Sequence, residues 1–172
     1  LINEQGRVRA HNQIGFHAVD GLATVFPNDP SRSHLSEQVL PELEGDGTLT
    51  GRFVRALSAL DASPFNLRND FRFTPNERTF DDVQAYFFAD QQIRWFDQML
   101  GVRLANRLEV KVHLAGNAMF YYQNQVRLGD GDGESWSGIA RDPSIVKHEV
   151  SHAYVEMLSG LPFQGQGGSF SE

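Results

Sequence analysis

The sequence predicts an α+β fold, in which a twisted, largely antiparallel sheet lies against helices and an irregular β-rich region precedes it. Three observations predict this class. Short segments rich in β-branched and aromatic residues, separated by turn residues, occupy positions 1–60. Apolar and polar residues alternate from Leu108 to Leu114. Two longer segments, after Thr79 and after Asp142, repeat apolar residues with the period of a helix.

The amino-terminal region, residues 1–76, is predicted to consist of short strands joined by turns and loops. Residues 27–30, Pro-Asn-Asp-Pro, form a predicted turn, and segment 61–76 is predicted to be a loop because it contains Pro64, Pro75 and several Asn and Asp residues. The predicted strands are 7–10, 16–19, 22–26 and 53–57. Residues 77–172 are predicted to form the core of the fold.

A long amphipathic helix is predicted over residues 80–100. Thr79 is the predicted N-cap, and Gly101 is a suitable residue to end the helix. The helical spacing of its apolar residues indicates a face packed on the sheet rather than a ligand site. This face contains Phe80, Val83, Phe87, Ile93, Phe96 and Leu100.

Two strands and a turn are predicted next. The alternation from Leu108 to Leu114 indicates a core strand, with Glu109, Lys111 and His113 on its polar side. Residues 117–122, Asn-Ala-Met-Phe-Tyr-Tyr, are predicted to form an edge strand, and 123–125 to turn the chain back. An alternative carries equal weight: a hairpin whose aromatic residues pack and whose Asn117 only starts a turn.

The second helix contains the sequence His-Glu-Val-Ser-His at 148–152, after Asp142 as predicted N-cap and Pro143. The i, i+4 spacing places both imidazoles on one helix face, as two ligands of a tetrahedral zinc ion require. Glu149, rotated by roughly 100° from the first histidine, can then reach a metal-bound water without binding the metal. The alternative is a helix with two histidines on a solvated or packed face and no metal.

Four sequence features stand in the order found in a known family. They are Asn117-Ala118 with the aromatic run after it, the Gly-Asp-Gly-Asp-Gly turn at 129–133, the helix with the two histidines, and Gly-Gly-Ser-Phe-Ser-Glu at 167–172. From Asn117 to Glu172 the chain resembles the zinc-site half of the thermolysin-like and fungalysin-like metallopeptidases, the gluzincins. Segment 45–51 and the helix at 80–100 resemble the amino-terminal part of the fungalysin-like branch. The resemblance implies a zincin-like fold, with the histidine-bearing helix beside the edge strand.

The resemblance also implies the roles of individual residues. His148, His152 and Glu172 would bind Zn²⁺, and Glu149 would be the general base that takes a proton from zinc-bound water. A peptide or protein substrate would lie along the edge strand in extended form, hydrogen bonded by the Asn117 side chain and the Ala118 main chain. The expected function is therefore that of a secreted or extracytoplasmic zinc metalloendopeptidase.

The chain departs from the family pattern at three places. Phe163 stands where the family has a Tyr that binds the developing oxyanion, and loss of such a donor costs roughly 10²- to 10³-fold in rate. Ser144 replaces an acidic calcium ligand, and the acidic run 130–134 lacks EF-hand spacing, so a calcium site is possible but unsupported. At Glu172 the family continues into a carboxy-terminal helical domain. We therefore expect a part of a longer peptidase, whose missing domain is its partner and whose activity alone is weak or absent.

Composition excludes several classes of partner. The chain has 172 residues, 40% of them hydrophobic and 22% charged, which is typical of a globular domain. A net charge of −7 provides no basic surface for nucleic acid or an anionic membrane, and no apolar run is long enough to span one. The absence of cysteine excludes disulfides and thiolate zinc ligands. The other histidines are predicted to be surface or satisfied residues; they are His11, His17, His34 and His113.

Two other functions remain open. One is a non-catalytic, zincin-like binding or surface module that has lost turnover, which Phe163 favours and an intact Glu149 disfavours. The other is a zinc aminopeptidase, which would need an acidic anchor for the substrate amine.

Overall fold

The structure, a computed structural model, describes residues 18–60, 62–135 and 137–160. In order, the elements of these segments are β1 (Val19–Val25), β2 (Ser36–Leu43), β3 (Val54–Ser58), β4 (Asp70–Phe71), α1 (Thr79–Trp95), β5 (Leu108–Leu114), β6 (Met119–Tyr122), β7 (Gln125–Gly129) and α2 (Pro143–Ser159). A π-helical turn, Phe96–Leu100, extends α1, and a 3₁₀ turn, Ile139–Arg141, precedes α2. Predictions for 7–10, His11, 16–17, Phe163 and 167–172 lie outside the described residues.

The α+β class is confirmed, but the sheets are mixed rather than largely antiparallel. The four-stranded sheet has the order β3-β5-β7-β6, and its β3–β5 and β5–β7 pairs are parallel. Only β6 runs antiparallel to its neighbour, β7. The prediction of strand direction was wrong because the connection from β3 to β5 contains α1, and a helical crossover returns the chain in the same direction.

A second sheet has the order β2-β1-β4, with β1 antiparallel to β2 and parallel to the two-residue strand β4. The prediction at 22–26 corresponds to β1, and that at 53–57 corresponds to β3. Strand β2 was not predicted, because it contains Pro41 and because Leu40 and Leu43, its buried residues, do not alternate. The loop prediction for 61–76 is confirmed within 62–76 apart from β4.

Helix α1 is central, and it contacts β1, β3, β5 and α2. Phe80, Val83 and Ile93 of the predicted apolar face are buried, whereas Leu100 is exposed. Residues outside that face are buried as well: Asp82, Gln84, Ala85, Tyr86, Phe88, Ala89 and Asp90. The helix is therefore enclosed on most sides. Because its polar positions are covered as well, Asp82, Gln84 and Asp90 are buried.

The predicted end of this helix is confirmed, and its predicted start is wrong. Gly101 adopts φ 65° and its N–H donates to the Asp97 carbonyl. Thr79 is the first helical residue and not the N-cap, because the preceding residue, Arg78, already has helical angles. The chain turns earlier, where Glu77 Oε2 accepts from the Thr74 N–H at 2.7 Å and from its hydroxyl at 2.9 Å.

Strands β6 and β7 form the predicted hairpin at the edge of the four-stranded sheet. Its two loop residues, Gln123 and Asn124, have φ values of 48° and 60°, the pattern of a type I′ turn. Asn124 fixes this turn by donating from Nδ2 to the Arg107 carbonyl at 2.7 Å. None of the described helices is long and apolar enough to span a membrane.

Candidate metal centre

Helix α2 begins at the residues predicted from the sequence. Asp142 has extended backbone angles, and its side chain accepts from the N–H groups of Ser144 at 2.8 Å and Ile145 at 3.4 Å. Pro143 is the first helical residue, and Gly160 ends the helix with φ 62°. The helix that carries the two histidines is thus defined by its own local sequence.

One face of α2 packs into the protein and fixes the orientation of the other residues. Val146, Val150 and Ala153 are buried, and the Tyr154 ring lies 4.1 Å from the Phe96 ring, measured between centroids. Packing against α1 and β6 leaves His148 exposed at the rim of this face. The helix therefore cannot rotate without losing its core contacts.

The two imidazoles converge as the i, i+4 spacing predicts. His148 Nε2 and His152 Nε2 lie 3.0 Å apart, and the ring planes are nearly perpendicular. His152 Nε2 lies 4.0 Å from Glu149 Oε2, and the ligand atoms of all three residues lie within 4.8 Å of one another. His152 and Glu149 are only 3% and 6% exposed, so these groups are held inside the fold.

The donor set of this cluster fits a zinc ion. When two imidazole nitrogens bind the same tetrahedral zinc ion, each at about 2.0–2.1 Å, the nitrogens lie about 3.3 Å apart. This distance is close to the 3.0 Å between the two Nε2 atoms. A carboxylate beside two imidazoles is a typical environment for zinc and not for magnesium or calcium. The assignments of His148 and His152 as ligands, and of Glu149 as base, remain predictions.

Glu172, the predicted third ligand, and Phe163, at the expected tyrosine position, lie outside the described residues. Asn117 and Ala118, the predicted substrate contacts, immediately precede the edge strand β6. The Asn117 side chain donates to Asp132 Oδ2 at 2.8 Å, and the Ala118 carbonyl accepts from the Gly129 N–H at 2.6 Å. Their role in substrate binding remains a prediction.

A second histidine cluster was not predicted from the sequence. His113 is buried at a bulge of β5, where its φ is 65°, and is not on a polar strand face. Its Nδ1 lies 2.6 Å from Asp130 Oδ1, and its Nε2 lies 3.3 Å from Asp82 Oδ2. Burial lowers the pKa of His113, but the two carboxylates outweigh burial and raise the pKa to about 9. The sequence indicated a surface or satisfied histidine, and it identified neither the burial nor these partners.

The two aspartates of the acidic run at 130–134 use their carboxylates within the protein. Asp130 pairs with His113 and with Arg78, whose Nη2 lies 2.6 Å from Asp130 Oδ2. Asp132 accepts from the main-chain N–H groups of Glu134 and Ser135. These contacts describe a tight Gly-Asp turn and add no support for calcium.

The candidate metal centre is thus built from a mixed sheet with a hairpin at its edge and a helix that packs on this sheet and presents two histidines and a glutamate. The sequence profile of the thermolysin metallopeptidase catalytic domain matches residues 55–156, more than half of the chain. The chain belongs to the thermolysin metallopeptidase family.

Curated relatives match part of the chain. The chain is 26% identical over 96 residues to a zinc metalloproteinase of Listeria monocytogenes, a match that covers 52% of the chain and 19% of the relative. It is 31% identical over 96 residues to a thermolysin of Alicyclobacillus acidocaldarius, covering 52% and 18%. A bacillolysin of Brevibacillus brevis is 34% identical over 56 residues, covering 33% and 11%. The chain thus spans about a fifth or less of the length of these relatives.

Among solved structures, the chain is similar to the precursor of protealysin, a metalloproteinase from Serratia proteamaculans. The two share 21% sequence identity with a TM-score of 0.49, and the similarity covers 69% of this chain and 38% of that one.

Proposed function

We propose that this chain forms part of a zinc-dependent metalloendopeptidase, in which Glu149 acts as the general base in peptide-bond hydrolysis. The observation that carries the proposal is the convergence of two imidazole nitrogens at 3.0 Å beside a buried carboxylate on one helix. Family membership supports it. His148, His152 and Glu172 are the proposed zinc ligands.

The chemistry divides between the metal and the protein. Zinc supplies Lewis acidity, which makes water more acidic and a peptide carbonyl more electrophilic. Glu149 follows His148 in the helix and lies 4.0 Å from His152 Nε2, so its carboxylate is held at the same face as the proposed ligands. From there it would accept the proton of the attacking water and return it to the leaving nitrogen.

The substrate is proposed to be a peptide or protein that binds in extended form along β6. Among the described strands β6 has one neighbour, β7, so its other edge can add a strand. Asn117 and Ala118, at the start of this edge, are the proposed first contacts. We further propose that the remaining wall of the cleft belongs to a carboxy-terminal helical domain of the same protein, and that the protein is secreted, as the resemblance implies.

The test measures zinc content and peptide hydrolysis in this chain and in the protein produced from its whole reading frame. We expect hydrolysis in the longer protein. In Glu149→Gln, hydrolysis should fall by roughly 10²- to 10⁴-fold, because the proton acceptor is lost, while zinc content stays unchanged.

The matched control is Glu109→Gln, which alters a carboxylate of β5 that is bonded to Gln125. It should retain both zinc and activity. Stoichiometric zinc without hydrolysis in either protein would overturn the enzymatic proposal and favour a non-catalytic module. Absence of zinc from both would overturn the metal site itself.

A further inference from the structure

Tyr121 of the edge strand is bonded directly to the histidine-bearing helix. Its hydroxyl donates to Glu156 Oε2 at 2.6 Å and accepts from the Asn124 N–H at 3.2 Å. Tyr121 is 3% exposed. One buried hydroxyl therefore joins β6, the hairpin loop and α2.

This hydroxyl stays protonated at neutral pH. Burial and the hydrogen bond to Glu156 together raise the pKa of Tyr121 to about 12. A neutral phenol that donates to a carboxylate forms a stronger hydrogen bond than one between two neutral groups. The contact between strand and helix is thus a short, charge-assisted hydrogen bond.

The register of the hairpin shows which way the main chain of Tyr121 faces. The Gly129 N–H donates to the Ala118 carbonyl, so this pair turns its polar groups toward the partner strand. Along an antiparallel pair, the direction of the main-chain N–H and C=O groups alternates from one residue to the next. Phe120 and Tyr122, two and four residues after Ala118, therefore also direct these groups toward β7. Met119 and Tyr121 consequently present their N–H and C=O groups at the outer edge of β6.

Glu156 connects this edge to the candidate metal site. It lies one helical turn after His152, and α2 is continuous through both residues. A strand residue that offers its main chain to an added strand is therefore anchored by its side chain to the helix of the proposed zinc ligands. A change in this contact would shift the edge strand relative to the imidazoles.

We infer that Tyr121 and Glu156 are positioning residues, whose hydrogen bond sets the distance between a substrate bound along β6 and the proposed zinc-binding helix. The inference rests on the proposed function. It predicts that the contact matters most for long peptides, which add main-chain hydrogen bonds along the edge, and least for short ones.

The experiment uses zinc-loaded protein from the whole reading frame and peptides of increasing length. We expect kcat/KM of the wild type to rise with peptide length. In Tyr121→Phe and in Glu156→Ala the value for the longest peptide should fall on the order of tenfold, the usual worth of a hydrogen bond to a charged group. The shortest peptide should be little affected, and the double variant should resemble either single variant because both lose the same contact.

The matched control is Tyr122→Phe, the neighbouring tyrosine, whose ring lies over Arg127. It should retain the length dependence, and Glu156→Gln, which keeps an acceptor oxygen, should recover part of the loss. The inference would be overturned if kcat/KM fell equally for peptides of all lengths. It would also be overturned if the losses of the two single variants multiplied in the double variant.

If the wild type cleaves no peptide, the proposed function fails, and the inference is then decided by binding. Affinity for the longest peptide, measured by calorimetry on the same zinc-loaded proteins, should fall on the order of tenfold in Tyr121→Phe and Glu156→Ala but not in Tyr122→Phe. Unchanged affinity in those two variants would overturn it.

Discussion

At the residue scale, His113 shows how a charged side chain is accommodated inside this fold. Asp82 is fully buried, and burial raises its pKa, although the contact with His113 opposes this change. Asp130, at the surface end of the cluster, contacts the other ring nitrogen. An imidazolium between two carboxylates is stabilised, whereas the neutral ring would leave Asp82 without a counter-ion.

The first prediction concerns this histidine and pH. Because the pKa rises from 6.5 to about 9 on folding, its stabilising contribution is fully present below pH 6.5 and is lost as pH rises through about 9. We expect His113→Gln to lower the free energy of unfolding by on the order of 1–3 kcal/mol at pH 6. The difference from the wild type should shrink by pH 9.5, as measured by urea unfolding in the presence of chelator.

His34→Gln is the control, because His34 is an exposed histidine. This variant should match the wild type at both pH values. A stability difference between His113→Gln and the wild type that does not change with pH would contradict the assignment of charge to this cluster.

Single residues differed in how far the sequence could identify them. The proximity of the two histidines was predictable because both belong to one helix, and helical spacing alone brings them together. The partners of His113 come from α1 and from the turn after β7, so only the tertiary fold places them beside the ring. The bond between Tyr121 and Glu156 went unnoticed for the same reason.

At the element scale, the start of α2 depends on one side chain. Asp142 satisfies two main-chain N–H groups that have no acceptor within the helix. His148 lies within the next two turns and His152 in the third, so fraying at this end would disturb His148 first.

The second prediction follows from this cap. Asp142→Ala should lower the free energy of unfolding by about 1 kcal/mol, because two N–H groups lose their acceptor. It should also weaken zinc binding slightly through fraying near His148. Chemical unfolding and zinc titration measure the two effects. Asp142→Asn, which keeps the capping oxygen, should approach the wild type, and equal losses in both variants would argue against the capping role.

Elements were predictable where the local pattern was strong. The alternation of β5 identified this strand with its bounds, and Asp142 with Pro143 identified the start of α2. Strand β2 lacks alternation, and the enclosed helix α1 buries polar residues such as Gln84, which bonds to the main chain of Phe26. Strand direction depends on the path between strands, and a local pattern contains no information about it.

At the scale of the whole molecule, Gly51 lies between the strands of the two sheets and touches the central helix. A Cβ atom at this position would lie 2.1 Å from the Tyr86 hydroxyl oxygen and 3.4 Å from the Glu42 carbonyl oxygen. Tyr86 is fully buried, and its hydroxyl has no hydrogen-bond partner among the described residues. The close packing of three elements thus requires a glycine.

The third prediction tests this contact. Gly51→Ala should lower the free energy of unfolding by on the order of 1–3 kcal/mol, the usual cost of overpacking. Tyr86→Phe removes the clashing oxygen, so the double variant should recover most of the loss. Thermal and urea unfolding of the three variants measure the coupling.

Tyr86→Phe alone should be close to neutral, because an unpaired buried hydroxyl contributes little to stability. Additive losses in the double variant would mean that Gly51 is required for another reason, such as the path of its own main chain.

The parallel pairing of β3 with β5 has a consequence for how the protein is made. Val54 pairs with Leu108, and the intervening chain includes all of α1. At a synthesis rate of about 5–20 residues per second, β3 leaves the ribosome about 3–10 s before its partner does. During that interval its edges are available to other nascent chains or to chaperones. Arg55, the exposed second residue of β3, places a charge on this strand, which disfavours pairing with other chains while the strand has no partner.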